Sequence, residues 1–228
     1  VNGGLYTSLA FILERTLCLI GRIILDFSAL GPLIVAAYLI GSISFAVIVS
    51  KIYGLPDPRT FGSKNPGATN MLRGGNKQAA LITLIGDTAK GMLAVWIALQ
   101  VVPVGPGQDT ALALVTLAAF LGHIFPLFFG FQGGKGVATA AGLLLMLCWP
   151  VGLASLCAWV GVFWFTRVSS MGALAATLTG PVVGYVLLGM SSLWMSMVVM
   201  AILLLWRHRT NIQKLMTGEE AAFKPRPK

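Results

Sequence analysis

The sequence predicts an all-α integral membrane protein, a polytopic bundle of about seven transmembrane helices, two of them short. Three observations lead there. Hydrophobic residues fill 57% of the 228 positions and charged residues only 10%, a composition foreign to soluble domains. Apolar runs of membrane-spanning length recur along the chain, separated by short polar or Gly/Pro-rich breaks. Every Lys and Arg from Lys51 onward falls on or toward one side when those runs are threaded across a bilayer.

Residues 1–30 form an N-terminal extension, apolar but interrupted by Glu14, Arg15, Arg22 and Asp26. It lacks the basic n-region and small-residue cleavage site of a signal peptide. It reads as an interfacial amphipathic helix, with an extra span or a mis-set start as the alternatives. Residues 31–220 form one membrane domain and 221–228 a cytoplasmic tail.

The first span is "GPLIVAAYLIGSISFAVIVSKIYG" (31–54), and further spans lie near 81–103, 111–130, 134–148, 151–166, 171–189 and 192–207. The fourth and fifth are the short ones. They flank "CWP" (148–150), so a single re-entrant hairpin is the alternative, and removing both leaves the sidedness of every other loop unchanged. The loops near 104–110, 149–150 and 190–191 contain no Lys or Arg, which makes the opposite, cation-rich side cytoplasmic.

A formal charge of +9 first suggests nucleic acid, but the cations are spread over several short loops rather than gathered on one soluble surface. No nucleic-acid partner is implied. Cys18, Cys148 and Cys157 sit in apolar runs without ligand spacing and read as small hydrophobes. No metal or cofactor is implied either.

Three polar clusters on the cytoplasmic side carry the chemistry. In "GLPDPRTFGSKNPGATNMLRGGNK" (54–77), Gly and Pro forbid continuous helix, while Ser63, Asn65, Thr69, Asn70 and Arg73 supply neutral donors and a fork-shaped cation. In "FQGGKGVATAAG" (131–142), Gly133, Gly134 and Gly136 let backbone N–H groups converge beside Lys135 at the start of a helix, an arrangement that favours a phosphate oxygen. It is not a nucleotide P-loop, because Phe129 stands where that motif needs its first Gly and Gly136 follows the lysine. In "WRHRTNIQKLMTGEE" (206–220), His208 and Asn211 share one helix face. Arg207 and Arg209 beneath Trp206 read as interfacial anchors.

Each cluster alone has a bland reading as a solvated turn or a snorkelling cation. Their conjunction on one face favours an anion site. Asp87 and Lys90, three apart in "GDTAKG" (86–91), fall within the hydrocarbon region and face the interior, either as a structural ion pair or as part of the chemistry.

Together the clusters resemble a family, the bacterial membrane acyltransferases that use acyl phosphate to acylate glycerol 3-phosphate. The resemblance rests on "GSISFAVIVSK" with "GSKNPGATNMLR", on "GHIFPLFFGFQGGKGVAT", and on "HRTNIQKLMTGEE", from about Gly31 to Glu220. It implies a multi-pass protein of the bacterial inner membrane that transfers a long-chain acyl group to the sn-1 hydroxyl, giving lysophosphatidic acid and phosphate. It implies Ser63, Arg73, Lys135, His208 and Asn211 as catalytic residues. Asn65, Thr69, Asn70, Gly133, Gly134, Gly136, Ser170 and Glu220 are the expected substrate- and phosphate-binding residues.

Two positions depart from the family pattern. Lys64 replaces a usual glycine, which would cost about 1 kcal/mol or more if the backbone there is left-handed, and Ser44 replaces a proline, expected only to alter a helix kink.

Since acyl phosphate is already an activated anhydride, no covalent enzyme nucleophile is required. Direct attack by the hydroxyl is expected, with the Gly133–Gly136 amides, Lys135 and Arg73 holding phosphate. His208 or an oxygen of the donor's phosphate is the proton acceptor. The partners are acyl phosphate, glycerol 3-phosphate, membrane lipid and, through functional coupling, a soluble enzyme that makes acyl phosphate. The alternative class is a membrane transporter of phosphate or an organic anion, which would place its site near the midplane between repeated halves.

Overall fold

The computed structural model describes residues 29–220 and residue 222. The interfacial helix expected in the N-terminal extension and the expected tail lie outside the described residues.

The described chain is all-α. In order it forms α1 (Ala29–Gly41), α2 (Phe45–Ile52), α3 (Ala68–Arg73), α4 (Lys77–Val101), α5 (Gln108–Ile124), α6 (Val137–Leu147), α7 (Trp149–Thr166), α8 (Ser169–Leu188), α9 (Ser192–Arg207) and α10 (Arg209–Met216). Four helices are long and apolar enough to cross a membrane: α4, α5 with the 3₁₀ turn that follows it, α7 and α8. A fifth is added if the bent pair α1–α2 is one span. The apolar helices α6 and α9 are shorter, at 11 and 16 residues.

The run at 151–166, expected to be short, therefore belongs to an 18-residue helix that begins with Trp149 and carries Pro150 in its first turn. Pro is tolerated there because that N–H has no intrahelical partner. The fourth run, expected over 134–148, is shorter than its sequence suggests. Gly136 sits at φ 93° and caps α6, which leaves Gly134–Gly136 as loop.

Packing closes a ring. Proceeding around it, α4 contacts α6, α6 contacts α7, α7 contacts α8, α8 contacts α9, α9 contacts α5, and α5 returns to α4. Phe120, Ile124, Val115, Val95 and Leu143 are fully buried at its centre. Lipid gives no hydrophobic drive for helix association, so close approach through small residues matters more than in water. A Cβ on Gly142 of α6 would stand 2.0 Å from the Thr88 carbonyl oxygen of α4, a distance that only glycine permits.

The bend between α1 and α2 is 44° and occurs without the proline expected of the family, at Ser42–Ser44. Breaking a helix inside a bilayer frees backbone groups that water cannot satisfy. Lys90 Nζ donates to the freed Ile43 carbonyl at 2.5 Å, the Phe45 N–H bonds the Asp87 carboxylate, and Lys90 Nζ lies 2.8 Å from Asp87 Oδ1. The charged pair thus clamps both sides of the break, so the structural reading of Asp87 and Lys90 has a specific object.

Removing one member of a buried pair costs about 3–5 kcal/mol because the other is left uncompensated. Lys90→Met should therefore lower the thermal midpoint of the purified protein in detergent markedly. Val186→Ala, at a residue that is 76% exposed, should leave it near wild type.

Candidate functional site

A cavity of about 460 Å³ lies among α6, α7, α8 and α9, with α3, α4 and the start of α10 at its mouth. Its two ends differ in chemistry. The mouth carries Ser63, Asn65, Thr69, Arg73, Lys135, His208, Asn211 and Glu220, while the rest of the wall is mostly Ala, Leu, Val and Met, with Ser155 and Thr177 among them and Asp87, Thr88 and His123 on the α4 and α5 side. All three sequence clusters therefore meet at one opening.

The loop that presents Lys135 is held from two sides. After α5, a 3₁₀ turn at Leu127–Phe129 and Gly130 at φ 62° reverse the chain. Arg207 Nε then donates to the Gly134 carbonyl at 3.0 Å and Arg207 Nη2 to the Gly133 carbonyl at 2.5 Å. On the other side the Gly134 N–H donates to the His123 carbonyl at 3.2 Å. Two of the expected phosphate-binding glycines are thereby engaged elsewhere. Gly133 and Gly134 are buried behind the cavity and present carbonyls to Arg207, and the Gly134 amide is already spent, so neither lines the site. Gly136 does line it, followed by the first turn of α6, which no side chain caps. Arg207, read from sequence as an interfacial anchor, is instead a two-pronged clamp. The cue was its position next to His208, but a basic residue below a Trp has a sufficient explanation without one.

Lys135 Nζ donates to Asn211 Oδ1 at 2.5 Å, Asn211 Nδ2 donates to Glu220 Oε1 at 2.6 Å, and Ser170 Oγ donates to the same oxygen at 2.7 Å. This chain joins the second cluster, α10, the end of the third cluster and the start of α8. Thr69 Oγ1 lies 3.1 Å from Ser169 Oγ, which attaches the first cluster to α8 as well. Burial pulls the Lys135 ammonium down to about 8; nearby Glu220 opposes this, while Arg73, Arg207 and Lys214 add to it. At neutral pH Lys135 is still a cation.

His208 is only 2% exposed. Its Nδ1 is 2.8 Å from the Leu204 carbonyl oxygen, which can only accept, so Nδ1 carries the proton and Nε2 is the acceptor. Burial and the Lys135 charge lower its pKa to about 4, against the opposing effect of the Leu204 bond. The ring is therefore neutral in use.

In the first cluster Asn70 plays a different part from the one expected. Although it borders the cavity, its Nδ2 donates to the Pro58 and Phe61 carbonyls, and its Oδ1 accepts from the Ser63 N–H at 2.9 Å. Its amide folds the loop that displays Ser63. Gly62, at φ 57°, lies so close that a Cβ would come within 2.3 Å of Asn70 Oδ1. Lys64 has φ 54°, so the left-handed backbone anticipated at that departure is present.

The family model described as glycerol-3-phosphate acyltransferase matches residues 32–218. A glycerol-3-phosphate acyltransferase of Cupriavidus pinatubonensis is 56% identical over 186 residues, covering 82% of this chain and 92% of the relative. One from Ralstonia nicotianae is 54% identical over 187 residues, covering 82% and 90%. Among solved structures, PlsY (YgiH), an integral membrane glycerol 3-phosphate acyltransferase, superposes in its glycerol 3-phosphate form with a TM-score of 0.80 at 36% identity. That match covers 86% of this chain and 96% of the other. Its lysophosphatidic acid form gives 0.78 at 35% identity.

An anion bound by Lys135 should lose affinity as pH rises through about 8, because the cation is present below that value and gone above it. Sulfate, dianionic throughout, is the probe. Calorimetric titration from about pH 7 to about pH 9 should show weakening in the wild type and no pH dependence in Lys135→Ala.

Proposed function

This chain belongs to the glycerol-3-phosphate acyltransferase family, and we propose that it moves a long-chain acyl group from acyl phosphate to the sn-1 hydroxyl within the one cavity described above. The observation that carries this reading is the cavity's division into a cationic mouth and a predominantly apolar interior. A reaction between a phosphorylated polar acceptor and a phosphorylated lipid needs that combination, and the transporter alternative does not.

The hydroxyl oxygen of glycerol 3-phosphate attacks the acyl carbonyl carbon, the bond from that carbon to the phosphate oxygen breaks, and inorganic phosphate leaves with the electron pair. The hydroxyl proton ends on a phosphate oxygen. Lys135, Arg73 and the uncapped start of α6 neutralise the two phosphates, and Ser63, Asn65 and Thr69 orient the acceptor. Asn211 acts indirectly, since both ends of its amide are engaged by Lys135 and Glu220. His208 offers a neutral Nε2, but a base with a pKa of about 4 has little driving force. A phosphate oxygen, whose second pKa is near 6, is the better acceptor.

In the membrane we place seven crossings, with α1–α2 as a single bent span and α6 and α9 as the short ones. The mouth then faces the cytoplasm of a bacterial inner membrane. The loops at the far ends of α4, α6 and α8 contain no Lys or Arg, which supports this orientation under the positive-inside rule. A soluble enzyme that forms acyl phosphate is the partner class that supplies the donor.

The donor assignment predicts turnover by purified protein with acyl phosphate as sole donor and none with acyl carrier protein thioester or acyl coenzyme A. Turnover with a thioester alone would overturn it. The proton assignment predicts that His208→Gln lowers kcat/KM while keeping the acid limb of the pH profile near the phosphate pKa of about 6. A limb that disappears or moves with the substitution makes His208 the base.

A further inference from the structure

On α7, α8 and α9 the cavity ends eleven or twelve residues from the mouth, and on α6 its lining runs to Leu145 near the far end of that helix. Counting from the mouth, the last lining residues are Leu145 on α6, Ser155 on α7, Pro181 on α8 and Met197 on α9. From Ser169 to Pro181 is twelve residues of one helix and from His208 to Met197 eleven, so the slot is about 16 to 18 Å deep. One leaflet of a bilayer core is about 15 Å thick, so the slot matches a single acyl chain.

The end of the slot is built firmly. Trp194 Nε1 on α9 donates to the carbonyl of Pro181, which sits inside α8, at 3.0 Å. Met197 lies over Gly184, where a Cβ would come 2.7 Å from its Sδ, and is 2% exposed. Just inside this floor, Gly180 leaves the wall bare. A Cβ there would stand 3.3 Å from Ser155 Oγ and 3.5 Å from Leu144 Cδ1, so a side chain at 180 points into the space between α6, α7 and α8.

We propose that Gly180 and Met197 set the acyl chain length this protein uses, Met197 as the floor of the slot and Gly180 as the gap that lets the terminal carbons reach it. The inference rests on the acyl phosphate reading. A chain leaving lipid for the slot gains no hydrophobic free energy, since both surroundings are apolar. Selectivity then comes from fit: a long chain meets Met197 and overpacks, and a short one leaves a void above it. At roughly 1.3 Å per carbon along an extended chain of 1.5 Å bonds, the slot suits donors of about 14 carbons, or about 16 when the carboxyl end lies in the mouth.

The test compares kcat/KM of full-length protein for saturated acyl phosphates from about 8 to about 20 carbons. Wild type should peak at about 14 to 16 carbons. Gly180→Val should shift the optimum shorter and lower turnover of the wild-type optimum donor by about tenfold, while the shortest donors, whose tails do not reach residue 180, keep wild-type rates. Met197→Ala should shift the optimum longer. Gly180→Ala, adding a single methyl group, should shift it in the same direction as Gly180→Val by less, and stands in if the valine variant fails to fold. Chain-length profiles that coincide with wild type, or fall equally for all donors, overturn the inference. Wild-type protein inactive with every acyl phosphate would instead overturn the donor reading beneath it.

Discussion

A lysine ammonium taken largely out of water needs polar partners, and the site depends on how Lys135 is held. Asn211 accepts from it, Glu220 accepts from Asn211, and Ser170 donates to the same Glu220 oxygen. Three segments separated by 35 to 85 residues in sequence (135 to 170, 170 to 211, 135 to 220) are thereby fixed at one point. The charge assists every bond in the chain, which makes each stronger than a neutral hydrogen bond. The negative charge of Glu220 also opposes the downward pull of burial on the ammonium. Reactant binding and local folding are for this reason the same set of contacts.

The rest of the architecture serves that point by keeping polar groups paired where water is absent. Lys90 and Asp87 close the break between α1 and α2, and Arg207 and His123 hold the backbone that carries Lys135. The loop before α6 lies beside the end of α9 and the start of α8, where Arg207 and the Asn211–Glu220–Ser170 chain hold it, and α6, α7, α8 and α9 continue from it as walls. A polar head site continuous with a largely apolar slot follows from this placement.

Much of this was legible in the sequence. The three polar clusters could be assigned to one face because Lys and Arg are confined there, and Ser63, Arg73, Lys135, His208, Asn211 and Glu220 do line a common opening. Lys64 was recognisable as a strained position because it replaced a glycine, and its φ is 54°. What stayed hidden concerned direction. Residue type says that Asn70 can bond, but only the fold turns its amide onto Pro58 and Phe61. A run of glycines invites an amide nest, yet Gly133 and Gly134 present their carbonyls to Arg207. Arg207 itself was concealed by a sufficient local explanation, and the lengths of α6 and α7 turned on Gly136 and Pro150, whose effects on helix boundaries hydropathy does not register.

The measurement closest to the central claim is a double-mutant cycle on Ser170→Ala and Asn211→Ala, followed by kcat/KM for glycerol 3-phosphate. Both side chains bond Glu220 Oε1, so the account predicts that the pair of substitutions together is little worse than the more damaging one alone, a coupling of about 1 kcal/mol or more. Simple additivity of the two losses would mean that the residues act separately and that no such chain supports Lys135.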